Sequence, residues 1–122
     1  MSYRNLKVYH KAYELALIVH RRTLEFPPME QYELARQLRR SSKSIAANIA
    51  EGIGKRDSAL ETRRFLKIAM GSCDEVRVWL EFAKDLGYLN NEGEFDALST
   101  AYDEVGRMLN GLIKHQCDQA GS

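Results

Sequence analysis

The residues of this chain that could hold a metal or attack a substrate are three histidines, two cysteines and seventeen carboxylates, and their spacing decides what they can do. A di-iron site inside a helical protein draws on glutamates followed three residues later by histidine, so that both ligands project from one helix face. No Glu stands three residues before His10, His20 or His115. Cys73 and Cys117 make no Cys-x-x-Cys pair, and the chain has no Gly-x-Ser-x-Gly turn to present a nucleophilic serine. Gly52-Ile53-Gly54-Lys55 invites a phosphate-loop reading. That loop needs a glycine five residues before its Gly-Lys pair and Ser or Thr after it, whereas position 49 is Ile and position 56 is Arg. A helix-ending turn explains these glycines instead. The expectation is therefore a protein that is not an enzyme, with no metal and no cofactor.

Charge is the stronger signal. The chain carries a net charge of only +1, unevenly spread. Between Arg36 and Lys67 stand nine cations: Arg36, Arg39, Arg40, Lys43, Lys55, Arg56, Arg63, Arg64 and Lys67. Three acids (Glu51, Asp57, Glu61) oppose them, for a net of +6. Between Asp74 and Glu104 nine acids face only Arg77 and Lys84, for a net of −7. A basic surface of this kind binds phosphates without reading bases, so its affinity falls steeply with salt. RNA is the partner class expected first and DNA next, with Arg56, Arg63 and Arg64 as the central contacts. The alternative is a scaffold with no direct nucleic-acid binding, whose subunits set a basic surface against an acidic one.

A second set of polar residues falls within helical packing. Asn48 and Glu51 flank the apolar stripe of the second helical run, and Ser72 and Glu75 follow the helix-weakening Gly71. Such a set either fixes the register of packed helices or lines a binding cleft. The small Gly71 predicts close approach of another helix.

Four amphipathic runs must position these residues. The first spans about 5–24, with Leu6, Tyr9, Tyr13, Ala16 and His20 on one face. Ala12, Leu15, Leu17, Ile18 and Val19 widen its apolar surface beyond one stripe, and Pro27-Pro28 ends it. The second spans about 31–55, with Leu34, Leu38, Ser41, Ile45, Ile49 and Gly52 facing inward and Arg36, Arg39, Arg40 and Lys43 outward; Gly52 and Gly54 weaken and end it. The third opens on Ser58 and Glu61, a capping-box pair, and carries Phe65, Ala69, Ser72, Val76, Trp79, Ala83 and Leu86 before Gly87. The fourth begins near Asn91, with Glu94 as a second capping pair, and repeats Phe95, Leu98, Tyr102, Val105, Leu109 and Leu112 at spacings of three and four. Short connections make neighbours antiparallel, so the fold class is all-α, an antiparallel up-down-up-down four-helix bundle.

A turn near Arg56-Asp57 sets residues of the second and third helices level when their numbers sum to about 114. Ser41 or Ser42 then lies beside Ser72, and Glu75 is level with Arg39 and Arg40, so an ion pair between Glu75 and one of these arginines is expected if their side chains turn inward. At 122 residues the chain suits one domain, expected over 1–117, with a frayed tail at 118–122. The run from Leu15 to Val19 is far too short to span a bilayer, and Met1–Asn5 lacks a signal-peptide core. A cytoplasmic protein with no membrane association is expected.

Several segments together resemble the four-helix-bundle proteins known from intervening sequences of bacterial 23S rRNA genes. They are Leu6-Lys7-Val8-Tyr9 with Ala12; Phe26-Pro27; Tyr32-x-Leu34-x-x-Gln37-Leu38-Arg39-Arg40-Ser41; Ser44 to Gly52; Phe65-Leu66-x-Ile68-Ala69-x-Gly71-Ser72-x-x-Glu75; and Leu86-Gly87-Tyr88-Leu89. The resemblance covers nearly the whole chain. It implies the same bundle and a homo-oligomer, a ring of five. The accessory protein of diversity-generating retroelements is similar, which implies nucleic acid and a reverse transcriptase as partners. Apolar surface on opposite sides of the first and third helices fits such a head-to-tail assembly.

Overall fold

A computed structural model of the protein describes residues 2–121, with side chains over 2–116; the tail expected at 118–122 lies outside the described side chains. Four helices, α1 (Lys7–Thr23), α2 (Leu34–Gly54), α3 (Ala59–Asp85) and α4 (Glu94–Gly121), follow one another with short 3-10 turns at Tyr3–Asn5 and Pro28–Glu30. Each helix packs on its sequence neighbour, and α1 closes the bundle against α4 more thinly. The antiparallel register of α2 and α3 is fixed by two hydrogen bonds, Thr62 Oγ1 to the Gly52 carbonyl at 2.9 Å and Ser72 Oγ to Ser44 Oγ at 2.9 Å. Ser44, one turn beyond Ser41, is therefore the residue bonded to Ser72, and Ser41 lines the same cleft.

The α2 stripe is buried throughout, from Leu34 to Gly52, and the α4 seam buries Leu98, Tyr102, Val105 and Leu109. The α1 face differs from expectation. Of the expected face Ala16 is buried, and Val8, Ala12, Leu15 and Val19 enter the core, while Tyr9 and His20 lie at its edge and Tyr13 is 49% exposed. With apolar residues around most of α1, periodicity alone does not choose the inward side. The compact branched side chains fill the space between α2 and α4, and the larger rings with their polar atoms stay at the rim. On α3, Thr62, Leu66, Cys73 and Leu80 join the core, whereas Leu86 is exposed because the helix ends before it.

Helix ends follow local chemistry. Ser58 Oγ accepts the Glu61 N–H at 3.3 Å, half of a capping box. The Glu61 carboxylate does not return to Ser58, whose own N–H bonds to the Lys55 carbonyl; it pairs with Arg64 at 3.1 Å. At the end of α3, Gly87 has φ +84°, and the N–H groups of Gly87 and Tyr88 bond back to the Lys84 and Ala83 carbonyls, a Schellman closure. The capping pair expected at Asn91 and Glu94 does not form. Gly93, at φ +75°, turns the chain into α4, and the Glu94 carboxylate binds Arg22 at 2.6 Å instead.

The two notable glycines exchange roles. Gly52 stays helical and buried, and a Cβ there would lie 3.2 Å from both Phe65 Cβ and the Thr62 carbonyl. Gly52 is thus the close-approach residue, and α2 continues to Gly54. Gly71 is exposed, with nothing within 4 Å of where a Cβ would stand.

Candidate nucleic-acid surface and polar cleft

Arg36, Arg40 and Lys43 recur at i, i+4 and i+7 on α2, so they form one outward row roughly 10 Å long. All three are exposed, and none makes an ion pair among the described residues. Arg39 does not join them. Its guanidinium turns toward the end of α1 and donates to Thr23 Oγ1 and the Gln31 carbonyl, both at 3.1 Å. Lys55 and Arg56 are exposed at the far end of α2, about twelve residues or roughly 18 Å beyond Lys43 along the axis. Lys67 on α3 is likewise exposed and unpaired among the described residues. Arg64 is engaged by Glu61 and lies 4.7 Å from the Phe65 ring centroid. Arg63 is half-buried and is also held by an interaction within the chain. The nine cations therefore divide into an α2 row, a group at the α2–α3 turn, and Arg39, which serves the fold.

Part of the acidic half is neutralised internally. Arg77 reaches Asp74 at 3.6 Å and Asp103 at 2.5 Å, and Arg22 takes Glu94. Lys11 binds Glu104 at 2.8 Å, and that hydrogen bond holds the Glu104 carboxyl below the usual carboxylate range. Cations outside the 36–67 segment thus quench acids and leave the α2 row without partners.

The expected polar set is brought together only in part. Asn48 Nδ2 donates to the Ser44 carbonyl at 2.8 Å and to Ser44 Oγ at 3.0 Å, and Ser72 Oγ donates to that same oxygen. Ser44, on the flank of the α2 stripe with Asn48, is the hub that joins them, and its i, i+4 spacing to Asn48 is the signal the sequence carries. Glu51 is exposed and stands outside the cluster. Beside the hub opens a cleft of about 310 Å³ lined by Gln37, Arg40, Ser41, Ser44, Ser72 and Glu75. Arg40 and Glu75 line its wall but lie beyond ion-pair distance, so the register expected for them holds without a salt bridge.

A second, apolar groove of about 500 Å³ runs between α1 and α2, lined by Tyr9, Tyr13, Ala16, Leu17, Ala46, Ala47 and Ala50, with His20 and Lys43 among its lining residues. Burial, then the charges of Lys43, Arg39 and Arg21, hold the His20 imidazole below its ordinary pKa, and its Nδ1 is buried without a partner. Among the described residues no group of three His, Cys, Asp or Glu could hold a metal ion. No described helix is long and apolar enough to cross a membrane.

Residues 4–111 match the family model described as 23S rRNA-intervening sequence protein. A solved structure from Bacteroides thetaiotaomicron, described as a protein of unknown function from the S23 ribosomal protein family, has the same fold. It superposes with a TM-score of 0.76 at 24% identity, over 88% of this chain and 98% of that one. No curated protein matches the chain.

Proposed function

This chain belongs to the 23S rRNA-intervening sequence protein family, and from that premise we propose that it is a non-enzymatic, homo-oligomeric bundle that binds the phosphate backbone of RNA through α2. The observation that carries this reading is the row Arg36, Arg40 and Lys43, exposed and without acidic partners among the described residues, while Arg22, Arg77 and Lys11 neutralise acids elsewhere. Lys55 and Arg56 extend the positive field at the α2–α3 turn, and Lys67 adds an exposed cation about two turns into α3. Cations held along a rigid helix attract a polyanion by counterion release, which carries no base preference.

Gel shift with structured RNA at low and moderate salt tests this. Contacts to three phosphates give a log–log salt slope between about −2 for a single strand and about −3 for a duplex. The triple variant R36E/R40E/K43E is expected to abolish the shift with helical content unchanged, because none of the three supports the fold. Retained affinity in that variant rejects the α2 row.

Self-assembly is supported by a separate observation. Tyr13 and Leu17, which line the apolar groove, are 49% and 38% exposed on α1, and Val78 and Phe82 are 48% and 52% exposed on α3. Apolar patches on different faces suit a heterologous contact, which closes into a ring when the rotation permits. We propose the ring of five. Light scattering giving the 14.0 kDa monomer mass rejects the oligomer, and a dimer mass rejects the ring. An oligomer that shifts no RNA leaves the scaffold reading standing.

A further inference from the structure

Three sequence segments set apart by their resemblance to the family converge on the polar cleft between α2 and α3. Gln37, Arg40 and Ser41 come from one, Ser44 from the next, and Ser72 and Glu75 from the α3 segment. The cleft's volume of about 310 Å³ is at the lower end of the roughly 300–1,000 Å³ of ligand clefts. Its charges have an unusual disposition: Arg40 and Glu75 line the same cleft without pairing, together with the hydrogen-bonded Ser44 and Ser72 hydroxyls.

We propose that this cleft is a guanine-binding site. Guanine is the base whose two edges match such walls. Its N1–H and exocyclic N2–H groups are adjacent donors that the two oxygens of the Glu75 carboxylate can accept together. Its O6 and N7 are adjacent acceptors, the pair that an arginine fork such as that of Arg40 binds. Adenine, cytosine and uracil each interrupt one of these patterns with a group of the wrong sense, leaving a charged wall unmatched. Gln37 and the Ser44–Ser72 hydroxyls supply the remaining hydrogen bonds. Arg36 and Lys43, one turn to either side of Arg40 on α2, are placed for the flanking phosphates. The proposal rests on the RNA reading for the source of the base, whereas the pocket chemistry is the same for a free guanine nucleotide.

Calorimetry on the full chain with guanosine, adenosine, cytidine and uridine 5′-monophosphates tests the cleft directly. The guanosine nucleotide is expected to bind at least roughly tenfold more tightly than the others. Glu75→Gln and Arg40→Lys are each expected to erase that preference, and Glu51→Gln, outside the cleft, to retain it. Equal binding of the guanosine and adenosine nucleotides, or a preference that survives Glu75→Gln, overturns the proposal. A uridine tract with and without a single guanine then identifies the source. Preference for the guanine-bearing strand assigns the base to RNA, and preference among mononucleotides alone assigns a free nucleotide. The pair R36E/K43E separates the two readings: it is expected to lose RNA while keeping the mononucleotide preference. RNA binding that survives the pair sinks the phosphate-row reading and leaves the cleft standing, whereas RNA binding lost in the pair, with no mononucleotide preference in the unaltered chain, upholds the row and overturns the cleft.

Discussion

The Thr62 hydroxyl on α3 donates a 2.9 Å hydrogen bond to the carbonyl of Gly52 on α2, at a place where Gly52 leaves no room for a side chain. A methyl at position 52 would meet Phe65 Cβ and the Thr62 carbonyl at 3.2 Å, and a backbone carbonyl cannot rotate away. Gly52→Ala gains at most about 1 kcal/mol of helix propensity. Overpacking of a tight site costs about 1–3 kcal/mol. The expected result is a net loss near 1 kcal/mol, read as a lower urea midpoint with an unchanged slope. A stabilised variant would show that α3 can yield at this crossing.

Gly71 is the converse case. It lies in the middle of α3, exposed, with open space around its missing side chain. Gly71→Ala is expected to raise stability by about 0.5–1 kcal/mol through backbone entropy and helix propensity. Equilibrium denaturation below the concentration at which the chain associates checks this. A loss that appears only at high protein concentration would place Gly71 in a contact between subunits.

The contrast between these glycines shows what was legible in the sequence. A glycine inside an amphipathic run announces either close approach or mere tolerance, and only the partner helix distinguishes them. The α2 stripe and the α4 seam could be read because each helix has one dominant apolar arc. The inward side of α1 could not, since Val8, Ala12, Leu15 and Val19 compete with Tyr9, Tyr13 and Ala16 for the core. The basic segment was visible as composition, but Arg39 turns inward because Thr23 and the Gln31 carbonyl, from a loop of unpredictable path, lie within its reach. The cleft was half visible: the register placed Glu75 level with Arg40, whereas the hub needed the actual meeting of Ser44 with Ser72.

Arg22 and Glu94 tie the end of α1 to the start of α4 at 2.6 Å, with side chains only 15% and 17% exposed. Arg22 also donates to the Tyr88 carbonyl at 2.7 Å. Glu94→Ala leaves a largely buried guanidinium with half its partners, and the expected cost is about 2 kcal/mol, below the range for fully buried pairs because some water remains. Glu94→Gln, which keeps an acceptor, is expected to cost less. Chemical denaturation of the two variants orders them. Equal, small losses would mean that Arg22 re-pairs with Glu25, already 4.0 Å away.

Cys73 sets an alkaline limit to stability. Its thiol is fully buried on α3, with Sγ 3.4 Å from the Tyr102 carbonyl, and burial pushes its pKa up from 9.0 to about 11. A folded-state pKa raised above the unfolded value favours the protonated form in the native protein. The contribution is therefore whole below about pH 9, and it is lost as pH rises toward 11, because the unfolded chain releases its proton first. Between those values one proton of linkage amounts to about 1.4 kcal/mol per pH unit. Burial raises the Tyr102 hydroxyl as well, which adds to the decline from about pH 10 upward. The thiol's share is isolated by Cys73→Ala, which loses some packing at every pH but removes the titrating group. Urea unfolding at pH 7, 9 and 9.8 is expected to show wild-type stability falling over the last interval and the variant nearly level there. Parallel declines in the two proteins would assign the alkaline loss to groups other than Cys73.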